Sequence, residues 1–111
     1  MQDQLIEYLR RLVQINSVNP DLSTDGQGEQ EIAEYIQHHF QLLDIPSEIH
    51  TVIYDRCNTT AVLSGEDRGK ILLLNGHIDT VGIEGMVDPF ILKNTGDKLY
   101  GRGTYDMLAG C

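Results

Sequence analysis

The longest uninterrupted apolar run in this 111-residue chain is Ile71-Leu72-Leu73-Leu74, bounded by Lys70 and Asn75. Four residues fall far short of the roughly twenty that cross a bilayer. The run therefore excludes a membrane span and predicts a short strand. It offers no polar face, the pattern of a strand covered on both sides in a mainly parallel sheet.

Two amphipathic stretches come first. Leu5, Ile6, Leu9, Leu12 and Val13 recur at helical spacing within residues 2–15, one apolar stripe on a polar cylinder. Ser17-Val18-Asn19-Pro20 stops this helix, because proline disfavours the helical region for the residue before it. Ile32, Ala33, Ile36, Phe40 and Leu43 predict a second helix over residues 29–43, closed by Asp44-Ile45-Pro46. Glu29, Glu31 and Glu34 near its start suit the helix dipole.

Beyond Pro46 the pattern changes to short β-type runs. Residues 48–52 and 59–63 predict strands separated by the turn Asp55-Arg56-Cys57-Asn58, and residues 65–69 predict a further turn. Residues 90–93 and 98–100 predict a hairpin around Asn94-Thr95-Gly96-Asp97. Met107, Leu108 and Ala109 follow a glycine turn as the opening of another helix. Helices before and among strands give an α/β domain. No terminating residues precede Cys111, so residues 1–111 read as a fragment.

A net charge of −9, from 17 acidic and 8 basic side chains, argues against a nucleic-acid partner, whose affinity comes from Lys and Arg neutralising phosphates. Cys57 and Cys111 lie too far apart for a disulfide framework or a paired-cysteine zinc site. No basic-then-apolar leader opens the chain. A cytoplasmic location is the expectation.

Two segments could carry chemistry. Asn75-Gly76-His77-Ile78-Asp79-Thr80-Val81 follows the predicted buried strand, and in parallel α/β sheets ligands bind at the carboxyl ends of strands. His77 and Asp79 are two apart, so in extended chain they point the same way. The carboxylate can then hold the second ring nitrogen of a metal-binding histidine. In Gly101-Arg102-Gly103-Thr104-Tyr105-Asp106 the dinucleotide fingerprint fails, since Asp106 stands where a third glycine would be and would repel a pyrophosphate. The segment reads either as a glycine turn with Thr104 or Asp106 capping a helix, or as a carboxylate aimed at the crevice that holds His77. His38 and His39 are adjacent on a helix and cannot chelate together. His50 sits in a polar strand.

The two motifs, in this order and spacing, closely resemble those of the metal-dependent aminoacylase family. That family includes acetylornithine deacetylase, succinyl-diaminopimelate desuccinylase and glutamate-releasing carboxypeptidases. Ser17-Val18-Asn19-Pro20 and Asp88-Pro89-Phe90 also look like its members. The resemblance implies an incomplete three-layer, zinc-peptidase-like catalytic domain with a mainly parallel sheet, of which residues 1–111 are the N-terminal fragment. It implies His77 as a ligand to one zinc, Asp106 as a carboxylate bridging two, and Asp79 as the acid that tunes His77. It also implies a cis peptide between Asp106 and Met107.

For the full-length protein the resemblance implies two Zn²⁺ per subunit, with Co²⁺ or Mn²⁺ as substitutes, and a homodimer. The implied activity is hydrolysis of the amide bond of an N-acyl amino acid or small peptide, with the fragment inactive by itself. The family pattern after Asp-Met is Lys-Gly-Gly, of which only Gly110 stands here. The alternative reading is a non-catalytic metal-binding or interaction fragment of α/β fold.

Overall fold

The first helix, α1, spans Gln2–Gln14 in the computed structural model, which describes residues 1–66 and 69–111. Leu9, Leu12 and Val13 form its buried stripe, as their spacing requires. Ile15 leaves the helix in extended conformation, and the Asn16 side chain accepts a hydrogen bond from the Val18 N–H at 3.0 Å. The second helix, α2, spans Gln30–Leu42 and buries Ile32 and Ala33. Its end is stopped by a left-handed residue, Asp44 at φ 56°. The Ile45 N–H bonds to the Phe40 carbonyl at 3.0 Å and the Asp44 N–H to the Gln41 carbonyl at 3.0 Å. Those paired bonds satisfy carbonyls the helix would otherwise leave open.

Glu29 does not act as a solvated partner of the helix dipole. Its carboxylate is buried, and the Arg56 Nε donates to both of its oxygens. The same guanidinium reaches Asp21 at 2.7 Å. Arg56 thereby ties the start of α2 to the strand that it opens. Between the two helices the His39 ring meets Tyr8 edge-on at 4.8 Å.

Strands β1 (Ser47–Ile53) and β2 (Arg56–Ala61) pair antiparallel, Ser47 opposite Ala61 and Ile53 opposite Arg56. The connecting loop is shorter than the sequence suggests, because Tyr54 takes a left-handed φ of 47° and turns the chain with Asp55 alone. The second strand accordingly starts before residue 59. The hairpin packs under α2, where the Thr59 hydroxyl donates to the Ala33 carbonyl at 2.9 Å. Strands β3 (Lys93–Thr95) and β4 (Lys98–Tyr100) form a second antiparallel hairpin around Gly96 and Asp97. Gly96, at φ 67°, supplies the turn. Of the expected strand over residues 90–93, only Lys93 belongs to it.

The expected mainly parallel sheet is not seen among the described residues. Among the described residues both sheets are antiparallel pairs, and the parallel contact is one isolated bridge, Val18 with Thr80. Ile71–Leu74 is neither a strand nor buried, with exposures of 94%, 83%, 82% and 84%. Covering both faces of such a run needs a strand on each side and a layer on each face. The chain's strands pair instead with their sequence neighbours, for which closing a short loop costs less entropy. The centre of the expected 65–69 turn, Asp67 and Arg68, lies outside the described residues.

One core joins the ends of the chain. Leu9, Leu12 and Val13 of α1 meet Ile32 of α2, Leu92, and Leu108 of a short 3₁₀ turn, Leu108–Gly110. Burying a side chain such as Val13 or Ile32 fully stabilises by about 1.5–3 kcal/mol. Ile78 packs against the same cluster, which leaves its neighbours His77 and Asp79 to face the other way. No helix among the described residues is long and apolar enough to cross a membrane.

Candidate metal centre

The segment carrying His77 is held by backbone pairing to the exit of α1. The Thr80 N–H bonds to the Ser17 carbonyl at 2.9 Å, and the Asn19 N–H to the Thr80 carbonyl at 2.8 Å. Ser17, Val18 and Thr80 are all buried at this junction. The segment lies outside any named strand, and the isolated Val18–Thr80 bridge fixes it in place of the expected sheet edge.

Asp106 arrives from the glycine turn. Gly103 sits at φ 83°, and a Cβ there would lie 2.6 Å from Leu108 Cδ1 and 2.9 Å from Thr80 Cγ2. A residue without a side chain is what lets the turn close on both. The Leu108 N–H then bonds back to the Gly103 carbonyl at 2.9 Å. The Thr104 hydroxyl donates to the Gly101 carbonyl at 2.9 Å, and the short 3₁₀ turn has Met107 at its N-cap with no side-chain cap bond. Neither Thr104 nor Asp106 is a helix cap. The Asp106–Met107 peptide is cis, as the resemblance implies. Met107 returns toward the first segment, its sulfur 3.4 Å from the His77 N–H.

These two supports bring His77, Asp79 and Asp106 together. His77 Nε2 is 2.8 Å from Asp106 Oδ1. His77 Nδ1 faces the Asp79 carbonyl at 3.1 Å and its carboxylate Oδ1 at 3.2 Å. With both carboxylates ionised these partners are acceptors, an arrangement that favours the protonated ring. The Asp106 hydrogen bond raises the His77 pKa most; burial opposes it, and Asp79 and the two negative charges add to the rise.

A metal fits the chemistry of these donors. A cation can replace the proton that His77 Nε2 shares with Asp106, while Asp79 keeps the other nitrogen and sets the ring's orientation. Nitrogen and carboxylate oxygen are ordinary zinc ligands. Among the described residues no group of three or more His, Cys, Asp or Glu side chains is arranged to hold an ion. The pair His77 and Asp106 is what this region offers.

Asn19 also belongs to the site, although its sequence context reads only as a helix stop. Its Nδ2 donates to Asp79 Oδ2 at 2.8 Å. An Asn-Pro pair directly after an amphipathic helix was the available signal, and it says nothing of where the amide aims.

The imidazole of His77 is gripped by two carboxylates, the second brought in by a glycine turn, which makes this region a histidine–carboxylate cluster. Residues 73–111, which include His77, Asp79 and Asp106, match peptidase family M20/M25/M40. The chain is 37% identical over 94 residues to a probable succinyl-diaminopimelate desuccinylase of Staphylococcus aureus (strain MRSA252), covering 81% of this chain and 23% of that protein. It is 33% identical over 93 residues to a protein of the same name from Staphylococcus epidermidis (strain ATCC 12228 / FDA PCI 1200), covering 80% and 22%. It is 29% identical over 106 residues to acetylornithine deacetylase of Buchnera aphidicola subsp. Acyrthosiphon pisum (strain Tuc7), covering 92% and 27%. The similarity to peptidase family M20/M25/M40 thus rests on the motif-bearing residues 73–111 and on these relatives. It spans about a quarter of the length of the curated relatives it matches.

Proposed function

We propose that the chain is part of the catalytic domain of a metal-dependent hydrolase that cleaves the amide bond of N-acyl amino acids or small peptides. The observation that carries this reading is the His77 ring held at Nδ1 by Asp79 and at Nε2 by Asp106, within the segment that matches the family. The names of the relatives, desuccinylase and deacetylase, support acyl groups on amino-acid nitrogen as the substrate class.

In this reading His77 and Asp106 would hold the metal, and Asp79 would be the acid that tunes His77. Zinc, or cobalt or manganese in its place, would lower the pKa of a bound water and polarise the amide carbonyl. The chain's own residues supply placement. Asp79 keeps a proton on Nδ1, which leaves Nε2 as the ligating nitrogen. Asp106 brings a carboxylate to the same point, and its half-exposed partner His77 leaves the pair open to solvent. A residue to move the proton from water to the leaving amine, and further ligands, would come from the roughly three quarters of the relatives' length outside the match. Two ions per subunit and a homodimer, supported by the family resemblance, and a cytoplasmic location, supported by the cysteine usage, complete the proposal.

The 111-residue chain alone is expected to bind zinc weakly and hydrolyse nothing, because catalytic zinc needs three protein ligands and an open position. The test is hydrolysis of N-succinyl-diaminopimelate and N-acetylornithine with added zinc or cobalt. It is run on this chain and on any longer product of the same reading frame. Activity confined to the longer product, and abolished by Asp106→Asn, is the expected result. Activity in the 111-residue chain that disappears with His77→Ala would overturn the division of labour. Zinc binding without hydrolysis in every product would favour the non-catalytic reading instead.

A further inference from the structure

We propose that Asn19 is a positioning residue for this site, holding the Asp79 carboxylate so that Asp79 can fix the His77 ring. The two oxygens of Asp79 are divided between two partners. Oδ2 accepts from Asn19 Nδ2 at 2.8 Å, and Oδ1 faces His77 Nδ1 at 3.2 Å. A carboxylate bonded at one oxygen alone can rotate about its last torsion. With both oxygens engaged, its plane is set, and with it the direction from which the imidazole is held.

The Asn19 amide is itself held in one orientation. Its Oδ1 accepts from the Asp21 N–H at 2.9 Å. Flipping the amide would set its NH₂ against that N–H and its carbonyl against the Asp79 carboxylate, losing both bonds. The backbone on either side is locked as well. Val18 is fully buried and pairs with Thr80, and the Asn19 N–H bonds to the Thr80 carbonyl. On the other side the loop folds down against Pro20, where a Cβ on Gly26 would collide with Pro20 Cα. Helix α1, through its exit, therefore reaches the candidate ligand by an unbroken path from Asn19 to Asp79 to His77.

The chemistry of the donor matters. A neutral amide orients Asp79 without neutralising it, so the negative charge that supports the imidazole stays available. A lysine at this position would pair with the carboxylate and compete for it. Outer partners of a ligating histidine typically contribute 10–100-fold to metal affinity, and Asn19 stands one hydrogen bond further out. The inference rests on the reading of His77 as a metal ligand.

The experiment measures zinc affinity by calorimetry for the whole chain, with Asn19→Ser, Asp79→Ala and the double variant. Serine keeps an oxygen for the Asp21 N–H but is too short to reach Asp79. Asn19→Ser is expected to weaken zinc binding about tenfold, and the double variant to bind no more weakly than Asp79→Ala alone. Such non-additivity is what coupling through Asp79 requires, whereas a purely structural effect would add. Unchanged affinity in Asn19→Ser, or additive losses, would overturn the proposal.

A second measurement is independent of zinc and of any change at Asn19. In the metal-free wild-type chain one Asn19 Nδ2 proton should resonate downfield, and Asp79→Ala should return it to the position of a solvated amide. A solvated amide already in the wild type would overturn the proposal. Zinc binding that survives His77→Ala defeats the metal-ligand reading, and the amide proton then decides the role of Asn19 separately.

Discussion

Arg56 and Glu29, distant in sequence, close on one another with Nε within 2.6 and 2.8 Å of the two carboxylate oxygens. The Glu29 side chain is 6% exposed and Arg56 is 26% exposed, so the pair is largely removed from water. Removing one partner of a buried pair leaves the other charge uncompensated, which costs about 3–5 kcal/mol when both are fully buried. The opening at Arg56 reduces that figure. Arg56→Ala is expected to destabilise by about 2–3 kcal/mol, measured by urea unfolding, and to loosen α2 from β2. The reverse variant, Glu29→Gln, keeps one hydrogen bond and should cost less.

His77 gives a pH dependence whose sign is fixed by its partners. Its pKa is raised, chiefly by the hydrogen bond to Asp106. The folded chain thus binds the proton better than the unfolded chain does. The stabilisation is complete below the unfolded value of about 6.5 and is lost as pH rises through the folded pKa. The ring is half exposed, so the contribution is below about 1 kcal/mol. An NMR titration should place His77 above the ordinary histidine value, and Asp106→Asn should lower it. The same proton competes with zinc, so zinc affinity should rise with pH across this range.

Gly103 couples the core to the arrival of Asp106. Its φ of 83° disfavours any side chain, and a Cβ would stand 2.6 Å from Leu108 Cδ1, 2.8 Å from Leu108 Cγ and 2.9 Å from Thr80 Cγ2. Leu108 is buried in the main cluster and cannot simply turn aside. Gly103→Ala should therefore cost about 2 kcal/mol or more, combining left-handed strain with overpacking. Its second effect should be on the site, since the turn must shift. The 2.8 Å approach of Asp106 to His77 would open, and the raised His77 pKa should fall with it. Unfolding and the His77 titration, read on the same variant, test both.

The features legible in the sequence were those set by local pattern. Leu9, Leu12 and Val13 repeat with the period of a helix, and α1 follows within a residue of its expected bounds. Asp44-Ile45-Pro46 ends α2 because chain direction there is set within a few residues. His77 and Asp106 could be singled out because one follows an apolar run and the other a glycine turn, and because the two motifs together resemble a family. What the sequence hid depends on distant partners. Nothing near Glu29 announces that Arg56 will bury it. Nothing in Asn19-Pro20 tells that the amide will aim at Asp79. The burial of an apolar run is likewise a property of what packs on it, and no local pattern around Ile71–Leu74 could supply that.

That run gives the last prediction. Its side chains are between 82% and 94% exposed, a contiguous apolar surface of the kind that marks an interaction site or an aggregation liability. If it packs against nothing, polar replacement removes no contacts. Leu72→Lys with Leu74→Lys should change unfolding free energy by no more than about 0.5 kcal/mol, the usual range for surface substitutions. The same pair of charges should suppress concentration-dependent association, because apolar windows without charge are the ones that self-associate. Urea unfolding and light scattering across a concentration series read the two effects separately. A loss above about 2 kcal/mol would be the signature of buried leucines. It would mean that the strand expected from the sequence, covered on both faces, is what this chain forms in solution.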